Sequence, residues 1–536
     1  MKQFCCVLFI IVLGGSQTNA QTTASIEWYN IHDGPAKAVD IPQAATLDRQ
    51  GNLYITGRSS GIGSGQDYLT LKYSPEGNEL LALRYNGPPN SWDESTAIAV
   101  DDSGNIYVTG LVFLGSTGTS AVTIKYNQQG VVQWLRGAPP DSSPSAGGTS
   151  IHLDLHNNVY VAGSPALTVM KYTNTGTLLW SRTISRDTSM VNNLTGCVVD
   201  REGSVYLTGA VSEECPEGIC RYDMVTLKYD SAGTREWVQY FARTTTSDEQ
   251  PVAITIDSQE NIIIVGVANA DSMFIVKYSP EGNQLWDYVY DGPSSYSYPH
   301  GIVIDQGNNI IVGGTTWLQE FDYFAAKYSP AGTLLWMREY NHDITTRDFC
   351  GGVTVDLDGN VYLTGGSRVG FLGNSTCVTV KLNSAGDFEW SSTFNRPDNG
   401  TTYGNGVFTD SIGNVYIAGD GAGPTNGWDY IALKLNQIPV SVTEPQGSPS
   451  AFALFQNYPN PFNPVTNIEF RIRNATYVSL RVFDVLGREV ATLVNEERKA
   501  GSHHASWDAA GMASGFYLYR LIAPDFVQTR KMILMH

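Results

Sequence analysis

Charge is scarce in this chain, and positive charge scarcer. Only 16% of the 536 residues are charged, and 33 Lys and Arg stand against 52 Asp and Glu, a net charge of −19. Residues 452–536 carry nine basic and seven acidic groups and residues 1–20 a single Lys, so the stretch between them holds about −22. A body that acidic repels phosphate backbones, which argues against a nucleic-acid partner. Past residue 20 no stretch approaches the ~20 apolar residues of a membrane-spanning helix. Cysteine is also sparse, with seven in all. No second Cys pair and no His pair has zinc-ligand spacing: His152 and His156, four apart, straddle a predicted turn. G-x-S-x-G, H-E-x-x-H and the P-loop are absent. With 54 Gly and 29 Tyr, the composition favours turns and strands over a helical bundle, while 42% hydrophobic residues exclude a largely disordered chain.

The first twenty residues read Met1-Lys2, an apolar run from Val7 to Leu13, then a polar stretch ending Thr18-Asn19-Ala20. A basic start, a short apolar core and a small terminal residue predict a secretory signal peptide (1–20) cleaved after Ala20. Cys5 and Cys6 precede the apolar run and so are not a lipoprotein acceptor. Five cysteines then remain, an odd number, so at least one stays unpaired. Cys215 and Cys220 share one loop and could close a small disulfide in an oxidising compartment.

What is present is a repeat. An apolar run, an Asp, usually a Gly-Asn, an alternating apolar stretch and a Gly recur eight times. The Asp positions are 48, 101, 154, 200, 257, 305, 356 and 410, each followed nine residues later by Gly. A Lys recurs at 72, 125, 171, 228, 277, 327, 381 and 434. Five residues after each of the first seven comes another Gly, and four further on, in six units, a Trp (134, 180, 237, 286, 336, 390), with Leu81 standing there in the first unit.

Each unit reads as four short strands, A to D; in the second they are Ala97–Val100, Ile106–Thr109, Ala121–Tyr126 and Val131–Leu135. The A–B and C–D links carry Asp, Ser, Gly and Asn, the chemistry of tight turns. Four strands every ~50 residues, repeated, mark a β-propeller. The eighth unit runs through Lys434 into Ile438-Pro439 without a strand D, and Ile26-Glu27-Trp28-Tyr29 supplies one at the other end of the chain, with Trp28 at the repeat Trp position. The fold class expected is therefore all-β, an eight-bladed propeller over residues 24–437 closed by its N-terminal strand. The units resemble the bacterial SBBP β-propeller repeat, with its D-x-x-G-N-x-Y-x-x-G and K-Y/L-x-x-x-G-x-x-x-W pattern. The resemblance implies an extracytoplasmic propeller and no shared catalytic residues. That family's name refers to seven blades; eight is the count from this chain.

Residues 438–451, rich in Pro, Ser, Gln and Gly, read as a linker. From 452 to 536 about seven short strands suggest a small immunoglobulin-like β-sandwich. This segment is similar to the C-terminal sorting domain of the type IX (Por) secretion system, subtype A. The likeness rests on Gln456-Asn-Tyr-Pro-Asn-Pro-Phe-Asn-Pro464, Val482-Phe-Asp-Val-Leu-Gly-Arg488, Trp507-Asp508, Gly515-Phe-Tyr517 and a basic-apolar tail. The resemblance implies passage through the periplasm, recognition of residues 452–536 by an outer-membrane translocon, and release or anchoring at the cell surface. A plain sandwich such as a carbohydrate-binding module is the structural alternative.

A position filled alike eight times is architecture, so the Asp are read as turn residues, the Trp as packing between units, and the Lys as partners of neighbouring acids, four units carrying Asp five residues earlier (Asp67, Asp223, Asp322, Asp429). Asp356-Leu-Asp358-Gly-Asn360 resembles part of a calcium loop but lacks its third acid and downstream Glu. No cofactor or metal is expected, and the floor and calcium signatures of a quinone-dependent dehydrogenase are absent. The B–C and D–A links are long and variable and share one face, where function tends to live. Trp92, Asp93, Tyr298, His300, Trp317, Asp348 and Trp428 are the ligand-binding candidates there, with Glu94, Tyr296, Arg347 and Tyr403 beside them. Aromatics with carboxylates suit a glycan or a peptide. The expectation is a secreted or surface binding scaffold; the rivals are a hydrolase or lyase acting on carbohydrate or peptide, and an adhesin with no small ligand.

Overall fold

The computed structural model describes residues 22–439 and 452–534, less 89, 116–117, 138–146, 165–166, 184–191, 212–221, 243–246, 270–271, 291–296, 318–319, 344, 371–372, 424–426, 456, 458–459, 461, 463 and 525. The signal segment with Ala20, the Cys215–Cys220 pair, Tyr296 and most of the linker lie outside the described residues. The chain forms two compact units that divide between Val440 and Ser441. Among the described residues every regular element longer than a turn is a β-strand.

Among the described residues the first unit holds eight four-stranded antiparallel sheets. Seven are consecutive meanders, spanning 40–85, 93–137, 147–183, 192–241, 249–290, 297–340 and 346–394. The eighth takes strands from both ends of the unit, in the order Thr22–His32, Trp428–Pro439, Val415–Ala422, Thr401–Thr409. Trp28 stands opposite Lys434, as Trp134 stands opposite Lys125 and Trp180 opposite Lys171. The strands are longer than the sequence pattern shows. In the second sheet strand A is Asp93–Val100 rather than 97–100, because pairing continues beyond the apolar stretch and across a bulge between Ser95 and Ala97.

Local chemistry explains the recurring residues. At all eight A–B turns the Asp Oδ1 accepts the N–H groups two and four residues on, as Asp48 does from Gln50 (2.9 Å) and Asn52 (2.8 Å). The bulge recurs in every strand A, at Gln43, Thr96, Thr149, Thr195, Val252, His300, Gly351 and Asn405. It brings a strand-A carbonyl against the Gly that lies nine residues after each Asp. A Cβ on Gly57 would sit 2.1 Å from Ile41 O, and one on Gly110 2.1 Å from Glu94 O, so only glycine fits.

Neighbouring sheets are clamped by Trp and Lys together. Trp134 Nε1 (2.9 Å) and Lys125 Nζ (3.1 Å) both donate to Asn174 O in the C–D turn of the next sheet. The Trp134 ring rests on Gly176 of that turn, whose φ of +82° and Cβ clearance of 2.7 Å both require glycine. The same clamp joins the eighth sheet to the first: Trp28 Nε1 (2.8 Å) and Lys434 Nζ (3.2 Å) donate to Pro75 O, with Trp28 against Gly77. A buried cluster there unites Leu53, Ile55, Leu69 and Leu71 with Tyr416, Ala418, Tyr430 and Ala432. The strand-C lysines do not pair with the Asp five residues upstream. An odd separation puts the two side chains on opposite faces of the strand. Lys277 and Lys327 instead meet the turn residues Asp257 (2.8 Å) and Asp305 (2.9 Å), while Lys228 and Lys434 meet Glu236 (2.8 Å) and Glu27 (3.1 Å) from strand D.

Among the described residues the second unit has seven strands in two sheets. One orders Ala453–Leu454, Val465–Ile472 and Gly501–Asp508; the other orders Glu489–Arg498, Thr476–Asp484, Gly515–Ala523 and Phe526–Leu534. Alternation in Val478, Leu480, Val482 and in Ile468, Phe470, Ile472 turns one face of each sheet onto a shared core with Trp507, Tyr519 and Leu534.

Candidate functional site

The loop-face acids are held by backbone amides. Asp93 is fully buried, its Oδ2 accepting Gly87 N–H (2.6 Å) and its Oδ1 accepting Phe113 N–H (3.2 Å). Asp40 in the first sheet repeats this with Gly34 (2.6 Å) and Ser60 (3.0 Å). Asp348 likewise accepts His342 N–H (2.6 Å). These carboxylates tie each D–A loop to the strand that follows it. Beside Asp93, half-buried Trp92 lies under the Arg58 guanidinium at 5.9 Å; Arg58 meets Glu94 at 3.3 Å, and Glu94 accepts Gln43 Nε2 at 2.5 Å.

The sixth and seventh sheets carry the most open aromatic surface of the candidates. Trp317 is 43% exposed and stacks on Phe321 (5.9 Å, 21°). Phe321 meets Phe349 at 4.9 Å, and Arg368 lies 5.2 Å over Phe349. Arg347 binds Glu320 at 2.7 Å. Tyr298 and His300 lie 5.2 Å apart; His300 touches solvent, but the surrounding protein disfavours the imidazolium and draws its pKa down to about 4. In the eighth sheet Tyr403 and Trp428 stack at 6.0 Å and 28°. The seven candidates thus fall on four different sheets, and Trp317 is joined by three side chains the sequence reading missed: Phe321, Phe349 and Arg368. A signal existed, since Phe321 and Trp428 each immediately precede a recurring strand-C Asp.

Burial perturbs more than one carboxyl on this face, raising Asp93 above the usual carboxylate range. Burial, then the charges of Asp348, Glu339 and Glu320, push Asp322 up to about 7. Elsewhere, a cavity of about 250 Å³ lies between the first and eighth sheets, walled by Pro42, Gln43, Ala44, Ala45, Ile55, Asn405, Gly406, Phe408 and Ala418. Behind it Asn405 Nδ2 donates to Asp420 (3.0 Å), whose burial raises its pKa to about 6. The calcium-like stretch is a turn: Asp356 accepts the N–H groups of Asp358 and Asn360, Asn360 Nδ2, and the Tyr362 hydroxyl. His152 is half-buried in a strand, where desolvation lowers its pKa to about 4, while His156 sits in the turn, donating its N–H to Asp154. Cys197, Cys350 and Cys377 are buried free thiols.

Comparison with known proteins identifies two parts of the chain. Residues 456–535 match the secretion system C-terminal sorting domain, and residues 84–111 match the β-propeller repeat SBBP. An uncharacterized WD repeat-containing protein of Acanthamoeba polyphaga mimivirus is 32% identical over 148 residues, which cover 23% of this chain and 10% of that protein. The chain therefore spans a tenth of the length of that relative. Among solved structures, Sqt1 from Chaetomium thermophilum has a TM-score of 0.48 at 10% identity, covering 77% of this chain and 99% of its own. A protein of unknown function from Dyadobacter fermentans has a TM-score of 0.37 at 11% identity, with the same coverage. PorZ, a surface component of the type IX secretion system of Porphyromonas gingivalis, has a TM-score of 0.25 at 11% identity, covering 94% of this chain and 88% of that one. The first unit is a β-propeller with an SBBP repeat, and the sorting domain marks the chain for export by the type IX system, to the cell surface or beyond. No helix among the described residues is long and apolar enough to cross a membrane.

Proposed function

We propose that the first unit is a closed eight-bladed propeller over 24–437 that serves outside the cell as a binding scaffold. Residues 438–451 tether it to an immunoglobulin-like sorting domain over 452–536, which the type IX translocon recognises. A signal peptide ending at Ala20 starts the route. The seam clamp of Trp28 and Lys434 on Pro75 O supports the closure.

The binding reading is carried by exposed Trp317 on half-buried Phe321 and Phe349, with Arg368 over the Phe349 ring. Flat apolar faces with a cation beside them suit the C–H face of a sugar ring that bears an acidic substituent, or an aromatic peptide side chain. The Asp93 carboxylate is committed through both oxygens to loop amides, and Asp348 through Oδ2 to one. Replacing Trp317 with Ala is expected to weaken capture on a glycan and peptide array about tenfold or more, the scale of one stacking anchor. Unchanged capture across the array would remove this surface as the site.

One observation favours the enzyme reading. A carboxyl raised to about 7 has the protonation of a general acid at neutral pH, and Asp322, next to Phe321 in the chain, is such a group. A hydrolase or lyase working there would lose turnover, but keep binding, in Asp322→Asn; saturable binding without turnover by the native chain supports the scaffold.

A further inference from the structure

We propose that the cavity between the first and eighth sheets is a binding site for a small ammonium compound with an apolar body, an arylalkylamine. The cavity holds about 250 Å³. Its depth is apolar: Ile55 and Ala418 are buried, and Ala45 and Phe408 pack against the same cluster. The exposed residues on its wall are Gln43 and Asn405, which puts the mouth between these two side chains.

The repeat shows that this space is particular to one junction. Three residues before the turn Asp, four units carry Ile, two Val and one Cys, but the first unit carries Ala45. At that position Ile151, Cys197, Ile302 and Val407 fill the core between their sheet and the one before it. Ala45 leaves the same place short of the side chain that closes it. Two residues before the Asp, the other units carry Thr, Ala, Val or His, whereas the eighth carries Phe408. The strand-A bulge residue is an amide in two units only, and these are Gln43 and Asn405. Four departures from the repeat therefore meet at one cavity.

Both amides are oriented by an acid. Gln43 Nε2 donates to Glu94 at 2.5 Å, and Asn405 Nδ2 donates to Asp420 at 3.0 Å. A carboxylate only accepts, so each amide nitrogen is held by its acid and each amide oxygen is left to accept. No described residue donates to either oxygen. Glu94 is offset by Arg58 at 3.3 Å, whereas Asp420 has no basic partner among the described residues. An ammonium group at the mouth would donate to the two amide oxygens and offset the Asp420 charge one amide away. A carboxylate there would meet acceptors and a like charge. Behind the mouth the apolar wall suits a ring: an apolar cavity of about 150 Å³ already admits benzene, so a phenyl ring with a short tail fits.

The test titrates residues 21–536 with 2-phenylethylammonium chloride in calorimetry at about pH 8, where Asp420, with a pKa of about 6, is ionised. 2-Phenylethanol and phenylacetate are the comparators. One saturable equivalent of the ammonium is expected, with a Kd of about 1 mM or tighter, modest for a ligand of about nine heavy atoms. The alcohol should bind about tenfold or more weakly, and the carboxylate not at all up to ~10 mM. Ala45→Ile installs the residue of four sister units and should remove the binding while the chain stays folded. Asn405→Thr installs the bulge residue of three sister units, and should weaken the ammonium about tenfold, to the level of the alcohol. No saturable heat up to ~10 mM ammonium, or equal binding of the alcohol by the unsubstituted chain, would overturn the proposal. So would undiminished binding by a folded Ala45→Ile or by Asn405→Thr, the second of which decides if the first does not fold. The Trp317 surface lies on another sheet, so none of these results bears on that reading.

Discussion

The seam clamp makes a quantitative prediction. Trp28 packs on Gly77, lies 6.3 Å from Tyr73 and 6.4 Å from Tyr416, and donates to Pro75 O at 2.8 Å. Truncating a buried Trp to Ala costs roughly 3–5 kcal/mol. Trp28 is half-buried, so about 2 kcal/mol is the better figure for its packing, and the lost hydrogen bond adds about 1 kcal/mol. A total of about 3 kcal/mol corresponds to roughly a hundredfold shift in a local opening equilibrium. Amide hydrogen exchange reads that shift residue by residue. In Trp28→Ala, amides of 26–31 and 431–435 should lose about a hundredfold in protection while those of 205–229 keep theirs. Trp28→Phe retains most of the packing and loses the N–H, so its seam should lose only about fivefold. Trp180→Ala, which breaks the equivalent clamp on Ser231 O (3.1 Å), should move the loss to 168–229. Seam protection unchanged in Trp28→Ala would refute the idea that this ring and its hydrogen bond hold the two ends together.

Further outcomes follow from the same geometry. Gly332 has φ +83° and a Cβ position 2.8 Å from Trp286, so Gly332→Ala should cost about 1–3 kcal/mol and lower Tm by several degrees in calorimetry; an unchanged Tm would show that the turn relaxes freely. Asp322 binds its proton more tightly folded, with a pKa of about 7, than unfolded, so its contribution is fully present below about pH 4 and is lost as pH rises to about 7. Asp322→Asn should therefore raise Tm more at pH 8 than at pH 4, and equal shifts at both would discount the perturbation. Deleting residues 452–536 should leave the propeller in the periplasm in cell fractionation; continued arrival in the medium would break the export assignment.

How much could be read before the structure depended on how far apart the interacting residues lie in sequence. Turns were fully legible, because Asp48 reaches only to Gln50 and Asn52. The strand that joins the eighth sheet was legible although its partner lies some 400 residues away, because Trp28 copies a position filled six times elsewhere. The lysine partners were misread because the nearest acid in sequence projects from the other face of the strand, whereas Asp257 reaches Lys277 across the sheet. Asp93 and Asp348 were picked as ligand candidates from their place on long loops, but an Asp that accepts an amide six residues upstream looks the same in sequence as one that faces solvent. The stack of Phe321 and Phe349 joins two sheets, and no periodicity within one unit announces it.

Departures from the repeat carry the remaining information, and the eighth sheet concentrates them. Five of the six repeat tryptophans have the C–D turn of a following sheet beneath them, but Trp390 faces a sheet whose strands C and D come from opposite ends of the chain and share no turn. Five of the six donate their Nε1 to that turn, whereas Trp390 Nε1 is buried without a partner, and Lys381 turns instead to Glu389 at 2.9 Å. On the other side of the same sheet the clamp onto Pro75 is intact. At the junction between the seventh and eighth sheets the tryptophan's hydrogen bond is missing, about 1 kcal/mol at that point, while Gln437 Nε2 donates to the Tyr362 hydroxyl at 3.0 Å across it. Separation of these two sheets should begin beside Trp390, while the clamp of Trp28 and Lys434 onto Pro75 holds. Exchange in 388–394 that outpaces exchange in 334–340, its counterpart one sheet earlier, would locate the opening at Trp390; equal rates would mean that packing alone secures this junction.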